Sequence, residues 1–166
     1  FEISKILEDF QEKVLLNFSK TRLKIVLGNI KIITKLINSN FPDYESVIPS
    51  NNDRIMIVDC KSFSECIDRV STISSEKFRT VKFEIADNMC VVSSFGAEKS
   101  LGTENVKVDY SGPAFSINFN SRYVLDVLNI VKEGQVKFYF SKDTAPTILE
   151  STAIKNTIFL IMQMRA

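Results

Sequence analysis

The chain has 166 residues, 21 basic and 20 acidic side chains, a formal charge of +1 and a hydrophobic fraction of 45%. This composition excludes a disordered or low-complexity chain and provides enough apolar material for the core of at least one domain. The sequence contains no histidine, which excludes Ser-His-Asp and Cys-His catalysis and any histidine-ligated metal. We therefore expect a protein that is not an enzyme, with no catalytic, cofactor or metal site.

Three segments carry apolar residues at helical spacing, beginning at residues 3, 63 and 124. The stripes are Ile3, Ile6, Leu7 and Phe10, then Phe63, Cys66, Ile67 and Val70, then Val124, Val127, Leu128 and Val131. Asp59 and Ser121 stand before the second and third stripes, where a side-chain oxygen can cap the free N–H groups of a helix. The pattern predicts three helices, with helix starts 60 and 61 residues apart.

The segments between these helices alternate apolar and polar residues. Alternation occurs at residues 23–25, 30–32, 81–85, 106–108, 115–119 and 136–138, separated by turn formers such as Gly28-Asn29, Asp87-Asn88 and Glu133-Gly134. Strands with one apolar and one polar face are typical of antiparallel sheets. The sequence thus predicts an α+β fold of strand–helix–three-strand repeats.

Two full copies of this repeat fit at about 53–110 and 113–164, and a first copy at 1–37 lacks its opening strand. A sheet with one helix cannot bury that helix alone, so we expect the repeats to pair, each sheet packing on helices. The chain also begins at Phe1, and we expect it to be a fragment whose preceding half is missing. Residues 38–44, followed by 49–53, are rich in turn formers and are the predicted interdomain linker.

The three cysteines, Cys60, Cys66 and Cys90, form no CxxC pair, and the spacing favours buried thiols. Use of Cys60 or Cys66 as a nucleophile is a remote alternative without a histidine base. The C-terminal segment 159–166 is apolar and contains two methionines. It fits either a closing core strand or an adaptable peptide groove, and both interpretations stay open.

Four motifs, in register, are similar to those of the bacterial DNA polymerase III β sliding clamp family. They are residues 35–49 (KLINSNFPDYESVIP), 76–81 with 110–112 (EKFRTV, YSG), 119–128 (FNSRYVLDVL) and 162–165 (MQMR). The resemblance covers the whole chain and only part of a clamp. It implies that 1–46 is the C-terminal half of the middle clamp domain and that 47–166 is the complete last domain.

The resemblance implies a DNA-clamp fold, with antiparallel sheets outside and helices lining a ring of two head-to-tail subunits. Such a homodimer encircles duplex DNA without reading its sequence and tethers polymerase for processive synthesis in the cytoplasm, associated with the nucleoid. Its partners are the polymerase III alpha subunit, the clamp loader and repair polymerases, which bind through short peptides. No membrane, cofactor or metal is implied. A truncated fragment acting only as a peptide-binding adaptor is the alternative.

Residue by residue, the resemblance assigns three surfaces. The partner-peptide groove would comprise Pro42, Val47, Thr144, Pro146, Leu160, Met162, Met164 and Arg165. The DNA-facing cations on the helices would be Lys5, Lys61, Arg69, Arg122 and Lys132; taken alone, such charges are most often solubilising. The dimer interface would use Thr72 and Ile73 as apolar contacts and Glu98 and Glu104 as acidic ones.

Overall fold

The computed structural model describes residues 2–8, 10–39, 43–74, 79–96, 100–141 and 145–164. Contacts divide the chain into two compact units, Phe1–Pro42 and Asp43–Ala166. The predicted domain boundary between residues 46 and 47 falls within a short 3-10 helix, Glu45–Val47, at the start of the second unit. That the two units are half of a middle domain and a complete last domain stays a prediction.

The first unit consists of a short helix and a three-stranded antiparallel sheet. The elements are α1 (Glu2–Leu7), β1 (Leu15–Phe18), β2 (Arg22–Leu27) and β3 (Ile30–Lys35), with strand order β1-β2-β3. Phe10, predicted on the helical stripe, lies beyond the end of α1, which closes at Leu7. Gly28 and Asn29 form the predicted turn between β2 and β3.

On the apolar face of this sheet, side chains are buried on the middle strand β2 and exposed on β1. Ile25 is buried, whereas Leu16, directly opposite it, is half exposed. Phe18, opposite Leu23 on the same face, is 69% exposed. A three-stranded sheet with one short helix therefore leaves part of its own apolar face in water.

The second unit repeats the order strand, helix, three strands, as the sequence predicts. Its elements are β4 (Arg54–Asp59), α2 (Cys60–Ser71), β5 (Thr80–Ala86), β6 (Met89–Phe95), β7 (Leu101–Lys107), β8 (Asp109–Tyr110), β9 (Phe115–Asn120), α3 (Ser121–Val131), β10 (Gln135–Phe140), β11 (Thr147–Ser151) and β12 (Ile158–Ile161). The repeat does not predict the two-residue strand β8 or the 3-10 helix Glu45–Val47.

Each half of the second unit gives its first strand to the sheet of the other half. One sheet has the order β12-β11-β10-β4-β8 and the other has the order β7-β6-β5-β9. Strand β4 therefore pairs along its whole length with β10, from Arg54↔Phe140 to Asp59↔Gln135. Strand β9 pairs in the same way with β5. Because of this exchange, neither half can complete its sheet without the other.

The core lies between the two sheets and the helices α2 and α3. Its centre is a set of buried phenylalanines, in which the Phe63 ring lies 5.2 Å from that of Phe83 and 5.6 Å from that of Phe138. Phe119 lies 5.4 Å from Phe83 and joins β9 to the same cluster. The predicted stripes of the second and third helices are buried and are thus confirmed as core.

The helix starts are capped by side chains from the preceding strands. Asp59 is confirmed as the cap of α2, since its Oδ1 accepts a hydrogen bond from the Ser62 N–H at 2.9 Å, which lowers the pKa of the Asp59 carboxyl. The prediction of Ser121 for α3 is wrong by one residue. Asn120 has extended backbone and its Oδ1 accepts from the Arg122 N–H at 3.0 Å, whereas Ser121 is already the first helical residue.

All three cysteines are free and buried, as the sequence predicts. Burial raises the pKa of the Cys66 thiol to about 12, and the Glu104 carboxylate adds to the rise. Burial also raises the pKa of Cys60 and of Cys90. Because the thiolate is the reactive form, these groups are inert near neutral pH.

Within the described ranges, no cluster of three or more Cys, Asp and Glu side chains is arranged to hold a metal ion. None of the helices in the described part of the chain is long and apolar enough to cross a membrane.

Matched helix substitutions test the position of the core. Ile67→Ala on α2 removes a fully buried side chain and should lower the free energy of unfolding by about 2–5 kcal/mol. Ile130→Ala on α3, where the side chain is 57% exposed, should change it by no more than about 0.5 kcal/mol. Urea unfolding of the chain measures both, and equal losses would contradict this core.

The buried thiols predict resistance to alkylation. Iodoacetamide at pH 8 should leave Cys60, Cys66 and Cys90 unmodified in the folded chain and should modify all three in denaturant, as read by intact mass. Rapid modification of one thiol in the folded chain would contradict their burial and would revive the cysteine-nucleophile alternative.

Candidate functional site

The predicted DNA-facing cations of the second unit lie on the exposed surfaces of α2 and α3 or beside them. Lys61 and Arg69 are exposed on α2, Arg122 is exposed on α3, and Lys132 forms the C-terminal cap of α3. Lys5 is exposed on α1 of the first unit. The structure therefore places three of these five cations on one pair of packed helices and a fourth, Lys132, directly after α3.

Carboxylates balance the cations on both helices. On α2, Glu65 and Asp68 accompany the two cations, and on α3 Asp126 accompanies Arg122. An open depression of about 440 Å³ lies between the helices and is lined by Asp68, Arg79, Arg122 and Asp126 together with serine, threonine, leucine and asparagine side chains. This surface is polar, and the side chains of the two helices carry no excess of positive charge. The surface is therefore unsuited to tight phosphate binding.

The Arg69 guanidinium is paired with a carboxylate of the four-stranded sheet. Nη2 of Arg69 lies 2.6 Å from Oε1 of Glu104 on β7, and Nε donates to Oε2 at 3.1 Å. Glu65, one helical turn before it, lies 3.9 Å away. The hydrogen bond from Arg69 lowers the pKa of Glu104, and the same bond raises that of Arg69. A predicted DNA contact and a predicted interface residue thus form one ion pair.

Three of the predicted groove residues, Leu160, Pro146 and Met162, lie at one end of the second unit. Leu160 is on the outer edge strand β12, opposite Ile148 of β11. The same register continued by one step sets Pro146 opposite Met162, just beyond the strand ends. Met162 is 59% exposed. The end of the β11–β12 hairpin therefore presents adjacent apolar side chains to solvent.

Beyond Met162, the chain crosses to the other sheet. The Met164 N–H donates to the Asn118 carbonyl of β9 at 2.8 Å, and the Thr80 hydroxyl donates to Met164 Sδ at 3.8 Å. The segment 162–164 consequently links β12 of the five-stranded sheet to the edge of the four-stranded sheet. Ile161 is buried and belongs to the core, as a closing strand predicts, whereas Met162 is exposed; the peptide groove stays a prediction.

Asn52 holds the Pro146 end of the hairpin in place. Its Nδ2 donates to the Pro146 carbonyl at 2.9 Å and to the Tyr139 carbonyl at 2.8 Å. Sequence reasoning missed this residue, since its partners are 87 and 94 positions away. Val47, five residues earlier in the chain, is half exposed on the 3-10 helix. Pro42, Thr144 and Arg165 lie outside the described residues.

The predicted interface residues gather at the corner formed by the end of α2 and the edge strand β7. Ile73 packs against Gly102, where an added Cβ would lie 2.9 Å from Ile73 Cδ1, and a Cβ on Gly96 would overlap the Ile73 carbonyl oxygen. Thr72 is exposed beside it. Glu104 points back toward α2 and pairs with Arg69, and Glu98 lies outside the described residues.

Two further apolar side chains lie near this corner and were not predicted. Phe95 at the end of β6 is 67% exposed, and Leu101 at the start of β7 is 55% exposed and pairs with it. Both lie between the alternating segments 81–85 and 106–108, so the alternation did not mark them. Alternation also does not reveal that β7 is an edge strand.

Comparison with known proteins gives the family. Residues 45–165 match the family model for the C-terminal domain of the DNA polymerase III beta subunit. The beta sliding clamp of Caulobacter vibrioides (strain NA1000 / CB15N) is 33% identical over 164 residues, which cover 99% of this chain and 44% of that protein. The beta sliding clamp of Escherichia coli (strain K12) is 27% identical, with 99% and 45% covered.

Solved structures agree with the sequence match. A crystal structure of the beta sliding clamp of C. crescentus superposes with a TM-score of 0.86 at 33% identity, covering 99% of this chain and 44% of that one. A Bartonella birtlesii sliding clamp bound to griselimycin gives 0.84 at 31% identity, with 99% and 45% covered. The chain spans less than half the length of these relatives. With its clamp fold and a match over residues 45–165, the chain belongs to the DNA polymerase III beta subunit family.

Proposed function

We propose that this chain supplies the C-terminal part of a sliding-clamp subunit, a non-catalytic processivity factor that encircles duplex DNA in the cytoplasm. The observation that carries the proposal is the TM-score of 0.86 against a crystallised beta sliding clamp over 99% of the chain. In the full-length protein, two subunits would form the ring. Polymerase, clamp loader and repair polymerases would bind it through short peptides.

The first unit supports the assignment of residues 1–46 to half of a middle domain. In the second unit, β4 is the opening strand of one half. It pairs with β10, the strand that directly follows helix α3 of the other half. Strand β1 holds the corresponding position after α1, and its Leu16 and Phe18 are exposed on the apolar face of the sheet. A preceding half-domain would add its strand at β1 and cover these side chains.

The charge on α2 and α3 supports a sliding contact with DNA. Each contact between a cation and a DNA phosphate strengthens DNA binding and slows dissociation. A ring instead retains DNA by enclosing it. Lys61, Arg122 and Lys132 are exposed, and acidic side chains balance the cations of each helix. Such a surface attracts the backbone weakly and makes no base-specific contact.

The β11–β12 end supports a peptide site. Pro146, Leu160, Met162 and Met164 present flexible and apolar surface on a backbone that Asn52 and Asn118 hold by hydrogen bonds. A few apolar anchors of this kind give modest affinity and ready exchange between partners. The family resemblance, rather than the structure, assigns Val47, Pro42, Thr144 and Arg165 to the same site.

Topological retention tests the proposed function. Full-length protein placed by a clamp loader on nicked circular DNA should stay bound through gel filtration in high salt, and it should be released when the circle is cut once. Loss from intact circles in salt would contradict encirclement, and a peptide-binding adaptor would then be favoured.

Replacement of an exposed methionine tests the groove. Met162→Ala removes an apolar anchor that the folded chain exposes, so affinity for a polymerase tail peptide should fall about tenfold by titration calorimetry. Met89→Ala, at the start of β6, makes the same change outside the groove and should leave the isotherm unchanged. Equal isotherms for wild type and Met162→Ala would refute the placement.

A further inference from the structure

Met164 extends the four-stranded sheet by one residue beyond its edge strand β9. It forms an isolated bridge with Asn118, to whose carbonyl its N–H donates at 2.8 Å. Asn118 in turn pairs with Lys82 of β5, and Asn120 pairs with Thr80. The backbone of Met164 is therefore held against β9, and what stays variable at this residue is its side chain.

These residues lie on the face of the sheet that points away from the core. Side chains alternate between the two faces of a strand, and the intervening residues Val81 and Phe119 are buried in the core. Thr80 and Met164 are half-buried on the opposite face, two strands apart. The Thr80 hydroxyl nevertheless donates to Met164 Sδ at 3.8 Å. The methionine side chain thus crosses β9 on that face to reach β5.

The backbone that carries the Thr80 hydroxyl is fixed on both sides. The Arg79 carbonyl accepts a hydrogen bond from the Ser121 N–H at 2.7 Å, and Arg79 has a φ of 40°, which a residue other than glycine rarely adopts. The Thr80 carbonyl accepts from the Ser94 hydroxyl at 2.8 Å. Because a strained backbone persists only where its surroundings hold it, Thr80 is a rigid point against which a flexible side chain can be held.

We propose that Thr80 is a positioning residue of the partner-peptide groove, where its hydroxyl holds the Met164 thioether in one position as a fixed wall. This inference rests on the proposed function, and it adds to that site a residue that the family resemblance does not assign. The ligand that such a wall fits is a short peptide with an apolar side chain, which packs against the fixed thioether. Met162, which is 59% exposed, provides the adaptable side of the same groove.

The physical gain is the conformational freedom that Met164 no longer loses when the peptide binds. A methionine side chain is unbranched and has three rotatable bonds, and immobilising such a side chain at an interface opposes binding. The hydrogen bond from Thr80 restricts these torsions before the peptide arrives. Thioether sulfur is a weak acceptor, so the contact holds the side chain and still permits small adjustments.

Titration calorimetry of a polymerase tail peptide with the full-length protein tests this role. Thr80→Val keeps the branched shape of the side chain and removes the hydroxyl, so the dissociation constant should rise about threefold, the size expected for one weak hydrogen bond. Thr80→Ser keeps the hydroxyl and should stay close to wild type. Thr103→Val is the matched control, an exposed threonine of β7 at the opposite edge of this sheet, and should leave the constant unchanged.

A double-mutant cycle shows whether Thr80 acts through the sulfur of Met164. Met164→Leu keeps an apolar side chain and removes the acceptor, so in this background Thr80→Val should cause no further loss of affinity. The unfolding midpoint of Thr80→Val should stay close to that of wild type, since the hydroxyl lies on the face of the sheet away from the core.

Four results overturn the inference while the wild-type protein still binds the peptide. They are an unchanged dissociation constant for Thr80→Val, an equal loss for Thr80→Ser, an undiminished loss for Thr80→Val in the Met164→Leu background, and a loss matched by a core-sized fall in the unfolding midpoint. Failure of the wild-type protein to bind the peptide would instead refute the proposed groove itself.

Discussion

The exchange of first strands between the two halves of the second unit is the constraint on which the other features depend. Because β4 completes the sheet of the second half and β9 completes that of the first, the sheets close over one shared core. The buried phenylalanines of both halves meet there, with Phe83 between Phe63 and Phe119. Helices α2 and α3 pack against each other with exposed polar faces, and β7 and β12 lie at sheet edges.

These edges have different chemistry. After β12 the chain continues through Met162 to Met164, whose N–H donates to the Asn118 carbonyl on β9. This edge therefore presents side chains rather than free backbone groups. At β7 the backbone is open and is held by the turn after α2 and by Arg69. The first edge suits short apolar peptides.

Much of the architecture was predictable because side-chain periodicity reports which face of an element is buried. The apolar stripes of α2 and α3, the repeat and the buried cysteines all follow from spacing. Periodicity does not report which strand lies alongside which, so the exchange of β4 and β9 and the short strand β8 were not predictable. Neither were the Arg69–Glu104 pair, 35 residues apart, nor the hydrogen bonds of Asn52. The α3 cap was missed because Asn120 and Ser121 are both good capping residues.

A reconstruction by electron cryomicroscopy of the full-length protein bound to duplex DNA tests the central claim most directly. The account predicts a two-subunit ring with duplex in the hole, α2 and α3 facing the DNA, and β7 at the seam between subunits. DNA lying against the outer face of the sheets, or a particle with no central hole, would contradict it.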